Sequence, residues 1–233
     1  VTDADVALEI GPGLGSLTLA LLEQAQSVIA VEIDKRLAEQ LPKTVASHSE
    51  NSASLQVLNL DALALSPLAQ SPTVLVANLP YNVSVPVFLH VLEMMPTVQR
   101  GVVMVQAEVA DRLAAKPHTK EYGIPSVKAA WWADVSGAGS VSRTIFWPQP
   151  NVDSKLVAFT RHTPPGDEQL RRKVFTVIDL AFAQRRKMLR AALSSLFGSS
   201  ADAERALHSV GIDPTLRGEA LDISAFCTIA KCV

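Results

Sequence analysis

The sequence predicts an α/β fold: a parallel sheet covered by helices on both faces, followed by a small all-helical C-terminal domain. Two observations carry this. Through about residue 160, short β-branched runs alternate with helical patterns, the signature of repeated strand–helix–strand units. The stretch "HTPPGDEQ", with two prolines and a glycine, then interrupts the alternation, and beyond it the period is helical throughout. The expected domains are residues 1–163 and 164–233.

Taken in order, Val6–Ile10 is an apolar strand that stops at a glycine-rich turn, and Leu14–Gln24 follows at helical spacing. Val28–Glu32 is the second strand, and Lys35–Val45 the next helix. Leu55–Leu58 and Val74–Asn78 are short apolar strands, the latter followed by a helix over Val85–Met94. Val102–Gln106, a stretch near Val135–Val141 and Leu156–Arg161 complete the strands. Past the break, helices are expected over Leu170–Phe182, Lys187–Leu196, Asp202–Val210 and Ser224–Lys231.

A chain of 233 residues, 48% of them hydrophobic, can bury one substantial core and a smaller second one. No run approaches the roughly 20 apolar residues of a membrane-spanning helix. The opening "VTDADVALEI" lacks the basic head and cleavage site of a signal peptide, so a cytoplasmic location is expected. Cys227 and Cys232 argue against a disulfide framework and are too few for a structural zinc site. Net charge is −2, but its distribution is uneven. Residues 1–160 hold 10 Lys and Arg against 15 Asp and Glu, and residues 161–233 hold 11 against 8. In "AQRRKMLRAAL", Arg185, Arg186, Lys187 and Arg190 fall within two helical turns, either a solvated face or a phosphate-binding one.

"LEIGPGLGSLTLALL" sets Gly11, Gly13 and Gly15 between a strand and a helix, where missing side chains let backbone N–H groups approach a ligand. The dinucleotide pattern G-x-G-x-x-G wants glycine or alanine at position 16; Ser16 stands there, which disfavours a hydride-transfer enzyme. "VIAVEID" ends the second strand at Glu32, where a carboxylate accepts from both ribose hydroxyls, whereas Asp34 suits a helix-capping role. Asp61 in "VLNLDAL" follows the third strand on the same sheet edge, although an Asp there is often only a turn residue. Three successive strand ends thus offer glycines, a ribose acceptor and an adenine-amine acceptor, a site for an adenosine-containing cofactor. No G-x-x-x-x-G-K-[ST] occurs, which argues against a nucleoside triphosphate.

The fourth strand ends in "VLVANLPYN". Pro80 forces Leu79 into an extended conformation and so fixes where the carbonyls of Asn78 and Leu79 point. With the Asn78 amide oxygen, these acceptors can hold both hydrogens of an aromatic amine and aim its lone pair at an electrophilic methyl group. Tyr81 offers a stacking face for a splayed-out base. No cysteine lies near, so methylation at a pyrimidine carbon through a covalent adduct has no nucleophile. Alone, these residues also fit an ordinary strand exit with a packed tyrosine.

"NLPYN", "LEIGPGLGSLT", "VEID", "LDAL", "FWPQPNVDS" and "FAQRRKMLRAAL" together resemble the ribosomal RNA adenine dimethyltransferases, most closely the bacterial small-subunit (16S) group. The resemblance runs in order through nearly the whole chain. It implies a Rossmann-like S-adenosylmethionine-dependent methyltransferase domain followed by a helical domain that binds rRNA. It assigns Gly11 and Gly13 to the methionine side of the cofactor, Glu32 to the ribose and Asp61 to the adenine amine, with Ile33, Ala62 and Asn78 completing the set. Asn78, Leu79, Pro80 and Tyr81 go to the target amine, and Phe146 supplies a second stacking face. Arg185, Arg186, Lys187 and Arg190 become phosphate contacts. The implied reaction is dimethylation of the N6 amine of two adjacent adenines in a small-subunit rRNA hairpin, by a monomer that needs neither metal nor membrane. The family carries a Gln-Asn-Phe-Leu segment before the first strand that helps close over the cofactor. That segment is absent from this sequence, which opens just before the strand, and Trp131 and Trp132 replace the expected aromatics. Two alternatives remain open. One is the large-subunit enzyme of macrolide resistance, whose loop usually carries isoleucine at the position of Leu79. The other is a non-catalytic ribosome-assembly or transcription factor on the same fold.

Overall fold

A computed structural model describes residues 1–147 and 149–233; Pro148, within "FWPQPNVDS", lies outside them. Seven strands, β1 (Val6–Ile10), β2 (Ser27–Glu32), β3 (Leu55–Asn59), β4 (Val74–Asn78), β5 (Arg100–Gln106), β6 (Ala133–Val141) and β7 (Ser154–Arg161), form one sheet in the order β3-β2-β1-β4-β5-β7-β6. The helices are α1 (Ser16–Leu22), α2 (Lys35–His48), α3 (Ser84–Met94), α4 (Ala107–Ala114), α5 (Ile124–Ala129), α6 (Glu168–Ala183), α7 (Leu189–Ala192), α8 (Ser194–Phe197), α9 (Ser200–Ser209) and α10 (Ile223–Ala230). The sequence reading omits α4 and α5.

β1 pairs in parallel with β2 and β4, β2 with β3, and β4 with β5. β7 runs antiparallel to β5, so the expected all-parallel sheet is mixed. The reason is the connection from β6, whose described residues hold a 3₁₀ turn, Arg143–Ile145, and no crossover helix to restore a parallel direction. The central strands are buried on both faces, which their β-branched runs anticipate. Ala7, Val28, Ala30 and Val74 pack on Leu21 and Leu22 of α1 and on Leu41 and Val45 of α2. Asp34 caps α2, its carboxylate accepting from the Arg36 N–H at 2.8 Å.

The chain forms two compact units, Val1–Ala110 with Asp134–Arg161, and Asp111–Ala133 with His162–Val233. The division at Arg161/His162 lies two residues from the expected cut at 163/164, and residues 111–133 group with the helices as well. Inside this second unit Trp131 and Trp132 set their edges on Phe175 of α6, with ring centroids 6.3 and 5.4 Å apart. The Tyr122 hydroxyl donates to the Leu221 carbonyl at 2.8 Å, and Lys128 pairs with Asp179 at 2.8 Å. Such contacts reach far along the chain and leave no local sequence signal.

A second correction concerns Lys187–Leu196, expected as one helix. Residues 184–187 are a turn, and Leu193 separates the single turns α7 and α8. Leu189 and Leu193 are buried, and the Leu189 and Arg190 N–H groups donate to the carbonyls of Leu216 (2.7 Å) and Pro214 (3.2 Å). Tertiary hydrogen bonds take the place of a preceding helical turn.

Candidate active site

The C-terminal ends of β1 to β4 converge, and β1 leads directly into the glycine turn. Gly11 and Gly13 take φ values of 70° and 58°, a left-handed conformation that costs other residues about 1–2 kcal/mol. A Cβ on Gly13 would meet nothing within 4 Å, so open space lies beside it. A Cβ on Gly11 would face the Pro80 ring at 3.6 Å and the Asn78 carbonyl oxygen at 3.8 Å. The glycine turn and the "NLPY" loop, 67 residues apart at Gly11 and Asn78, are therefore immediate neighbours.

Glu32 ends β2 buried, and both its carboxylate oxygens are held. One accepts from the Gly13 N–H at 3.2 Å, the other from the Asp34 N–H at 3.0 Å. Each oxygen keeps a further lone pair for a ligand hydroxyl. The Asn59 side chain donates to the carbonyls of Glu32 (2.8 Å) and Ile33 (3.2 Å), tying the ends of β2 and β3 together. Ile33 is 68% exposed despite being apolar, and Leu14 and Leu63 are exposed as well. Asp61 is exposed, and one of its oxygens accepts from the Leu63 N–H at 2.9 Å, capping a 3₁₀ turn over Ala62–Ala64. The turn-residue reading of Asp61 is thus realised, with the second carboxylate oxygen remaining for a ligand. Ala62 is buried.

Sequence reasoning missed Glu9. It is 1% exposed in the middle of the apolar strand β1, and the buried Thr18 hydroxyl donates to it at 2.6 Å. Burial pushes its carboxyl up to about 7; the nearby Glu32 charge adds to the rise and the Thr18 hydrogen bond opposes it. The signal was legible as one acidic residue inside "VALEI".

At the end of β4 the Leu79 side chain is buried and its N–H donates to the Met104 carbonyl at 3.0 Å, which fixes the loop backbone. Asn78 is exposed, and its side-chain amide has no partner among the described residues. The Tyr81 hydroxyl bonds the buried Ser154 hydroxyl at the start of β7, 2.7 Å away. Asn78, Leu79, Pro80, Tyr81, Phe146, Trp147 and Pro150 line one open cleft of about 330 Å³. The structure therefore brings the five expected target-site residues together and adds Trp147 and Pro150.

The basic cluster lies in the second unit and is not uniform. Arg185 donates to Glu219 at 2.9 Å and to the Lys120 carbonyl at 2.7 Å, and Arg190 pairs with Glu204 at 3.1 Å. The Arg186 and Lys187 side chains are exposed without a partner among the described residues. No group of three or more His, Cys, Asp or Glu suited to a metal ion occurs among the described residues, and no helix there is long and apolar enough to cross a membrane.

Comparison with known proteins places this geometry in context. The chain is 58% identical to the ribosomal RNA small subunit methyltransferase A of Thermobifida fusca (strain YX), over 99% of this chain and 81% of that protein. It is 56% identical to the protein of the same name from Corynebacterium diphtheriae, over 97% of this chain and 79% of that one. In fold it is similar to a dimethyladenosine transferase from Plasmodium falciparum, with a TM-score of 0.81 and 23% identity over 98% of this chain and 90% of that one. The 23S rRNA methyltransferase ErmE shares the fold at a TM-score of 0.71 and 24% identity, over 100% of this chain and 92% of that one. The sequence profile of ribosomal RNA adenine dimethylases matches residues 1–233, and the chain belongs to that family.

Proposed function

We propose that this protein transfers methyl groups from S-adenosylmethionine to the N6 amine of adenines in small-subunit ribosomal RNA, two on each of two adjacent adenines. The observation that carries the reading is the contact between the glycine turn and Asn78–Pro80, which sets a nucleoside cradle against a loop of hydrogen-bond acceptors. The small subunit is favoured over the large one because relatives at 55–58% identity bear its name.

The residues present fit the cofactor. The open space at Gly13, the buried carboxylate of Glu32 and the exposed Ile33 suit a methionine tail, a ribose and an adenine face, with Asp61 and Ala62 at the adenine edge. When bound, S-adenosylmethionine supplies an electrophilic sulfonium methyl group. The amine of adenine is a poor nucleophile because its lone pair is delocalised into the ring. The Asn78 amide oxygen and the adjoining backbone carbonyls accept its hydrogens and draw the nitrogen toward tetrahedral geometry, a positioning and electrostatic effect. An amide has no basicity to take the proton released at each transfer, which leaves to water through the open cleft. Tyr81 and Phe146 sandwich the flipped base, and Arg186 and Lys187 contact RNA phosphates.

The test is mass spectrometry of nucleosides from small subunits lacking the modification, after incubation with the protein and S-adenosylmethionine. Dimethyladenosine is the expected product. Its absence with a folded, RNA-binding protein overturns the reading.

A further inference from the structure

We propose that Trp147 is a stacking platform for the nucleobase adjoining the target adenine, so that one base enters the cleft while its neighbour lies on the rim. This rests on the reading of the Asn78–Tyr81 cleft as the adenine site.

Trp147 is 98% exposed, whereas Trp131 and Trp132, the other two tryptophans, are 2% and 5% exposed. An indole is among the largest apolar surfaces a side chain can bury, so leaving one wholly in water forfeits stabilisation that folding normally collects. The ring nevertheless lines the cleft formed by Asn78–Tyr81, Phe146 and Pro150. Its loop is tied down at the base. The Arg143 N–H donates to the Asp153 carboxylate at 3.1 Å, the Arg143 guanidinium to the Asn151 carbonyl at 3.0 Å, and the Ala107 N–H to the Asp153 carbonyl at 3.0 Å. The Ile145 and Phe146 N–H groups turn back to the carbonyls of Ser142 and Arg143, each at 3.3 Å. The exposed indole therefore follows directly on a hydrogen-bonded turn over residues 143–146, which lowers the ordering cost of binding.

The surroundings select the occupant. Ile145 and Val152 are exposed on the same loop, but the exposed polar residues Ser142, Thr144, Gln149 and Asn151 interrupt them, so the apolar surface is broken up rather than a broad apolar interface. The Arg143 side chain is exposed and forms no ion pair among the described residues, which leaves its charge available to a phosphate. An exposed aromatic face on a loop that also carries such a cation suits single-stranded nucleic acid, since every base has a face to stack and every link a charge.

Because the other tryptophans are buried, solvent-sensitive emission reports Trp147. Titration with an RNA hairpin carrying two adjacent unpaired adenines is expected to quench that emission saturably, with no such change in Trp147→Phe. On unmodified small subunits, Trp147→Ala is expected to raise the half-saturating concentration by about 5- to 150-fold, with a smaller effect on the saturated rate, and Trp147→Phe to recover most of the loss. Melting of Trp147→Ala at the parent temperature excludes a folding effect. Unchanged emission at RNA concentrations that saturate binding, or half-saturation of Trp147→Ala within twofold of the parent, overturns the proposal. Dimethyladenosine formation by the parent is scored separately: a protein that is quenched but forms no product loses the methyltransferase reading and keeps the stacking one.

Discussion

The 2.7 Å hydrogen bond between Tyr81 and Ser154 makes the position of an aromatic ring depend on a hydroxyl 73 residues away. Tyr81→Phe leaves the buried Ser154 oxygen unsatisfied, so urea denaturation should show a loss of about 1–3 kcal/mol. Removing both partners in Tyr81→Phe/Ser154→Ala should restore most of that stability, because the penalty lies in the orphaned group. Methylation should fall less in Tyr81→Phe than in Tyr81→Ala, where a stacking face worth about 1–3 kcal/mol is gone. Asn78→Ala differs in kind. Its side chain bonds no other described residue, so the variant should fold and bind RNA like the parent yet lose most single-turnover methylation. A folded Asn78→Ala protein that dimethylates near the parent rate ends the catalytic role of this loop. Glu32→Ala should weaken S-adenosylmethionine binding by about 1.5–3 kcal/mol in calorimetry, the range for hydrogen bonds to a charged acceptor.

β1 carries an ionisable group in a strand otherwise built of Val, Ala, Leu and Ile, and this gives the strand a pH dependence. The Glu9 carboxyl titrates near 4.5 when unfolded and at about 7 when folded. Between those values the folded state holds the extra proton, so stability falls as pH rises. The contribution is fully present below 4.5 and is lost through pH 7, about 3 kcal/mol in all. Glu9→Gln should flatten this slope relative to the parent in denaturation series between pH 5 and 8; parallel curves would show that Glu9 is ionised throughout. In β5 the decisive residue is Gly101. A Cβ there would lie 2.4 Å from the Leu75 carbonyl oxygen and 2.6 Å from the Phe159 ring. The nearer atom is backbone and cannot swing aside, so Gly101→Ala should cost about 3 kcal/mol or more. In β6, a Cβ on Gly137 meets nothing within 4 Å, and Gly137→Ala should stay within about 0.5 kcal/mol of the parent under the same denaturation assay.

Over the whole molecule the charge that matters for RNA is local, since the net charge is only −2. Arg185 and Arg190 already satisfy Glu219 and Glu204, exposed pairs worth about 0.2–1 kcal/mol each. Arg186→Ala/Lys187→Ala should reduce the salt dependence of subunit binding by about one unit of slope for each phosphate no longer neutralised, and more than Arg185→Ala/Arg190→Ala does. Equal slopes for the two double variants would mean that the ion pairs open on binding.

Whatever depends on near neighbours was legible in the order of residues. Alternating periods set the succession of strands and helices, Asp34 marked the start of α2, and glycine spacing marked a turn that needs positive φ. Pro80 marked a backbone held extended at Leu79. Features that join residues far apart in the chain became visible only in the packed molecule. Packing set β7 antiparallel to β5, drew residues 111–133 to the helices through Trp131, Trp132 and Tyr122, and moved the start of the expected Lys187–Leu196 helix to Leu189 through hydrogen bonds to the carbonyls of Pro214 and Leu216. It also paired Tyr81 with Ser154, buried Glu9 against Thr18 and separated Arg185 and Arg190, which are ion-paired, from the rest of the basic cluster. The difference is one of range. Dihedral preference and periodicity act over a few residues and are written in local order, whereas burial, ion pairing and hydrogen-bond satisfaction are settled only when distant segments pack together.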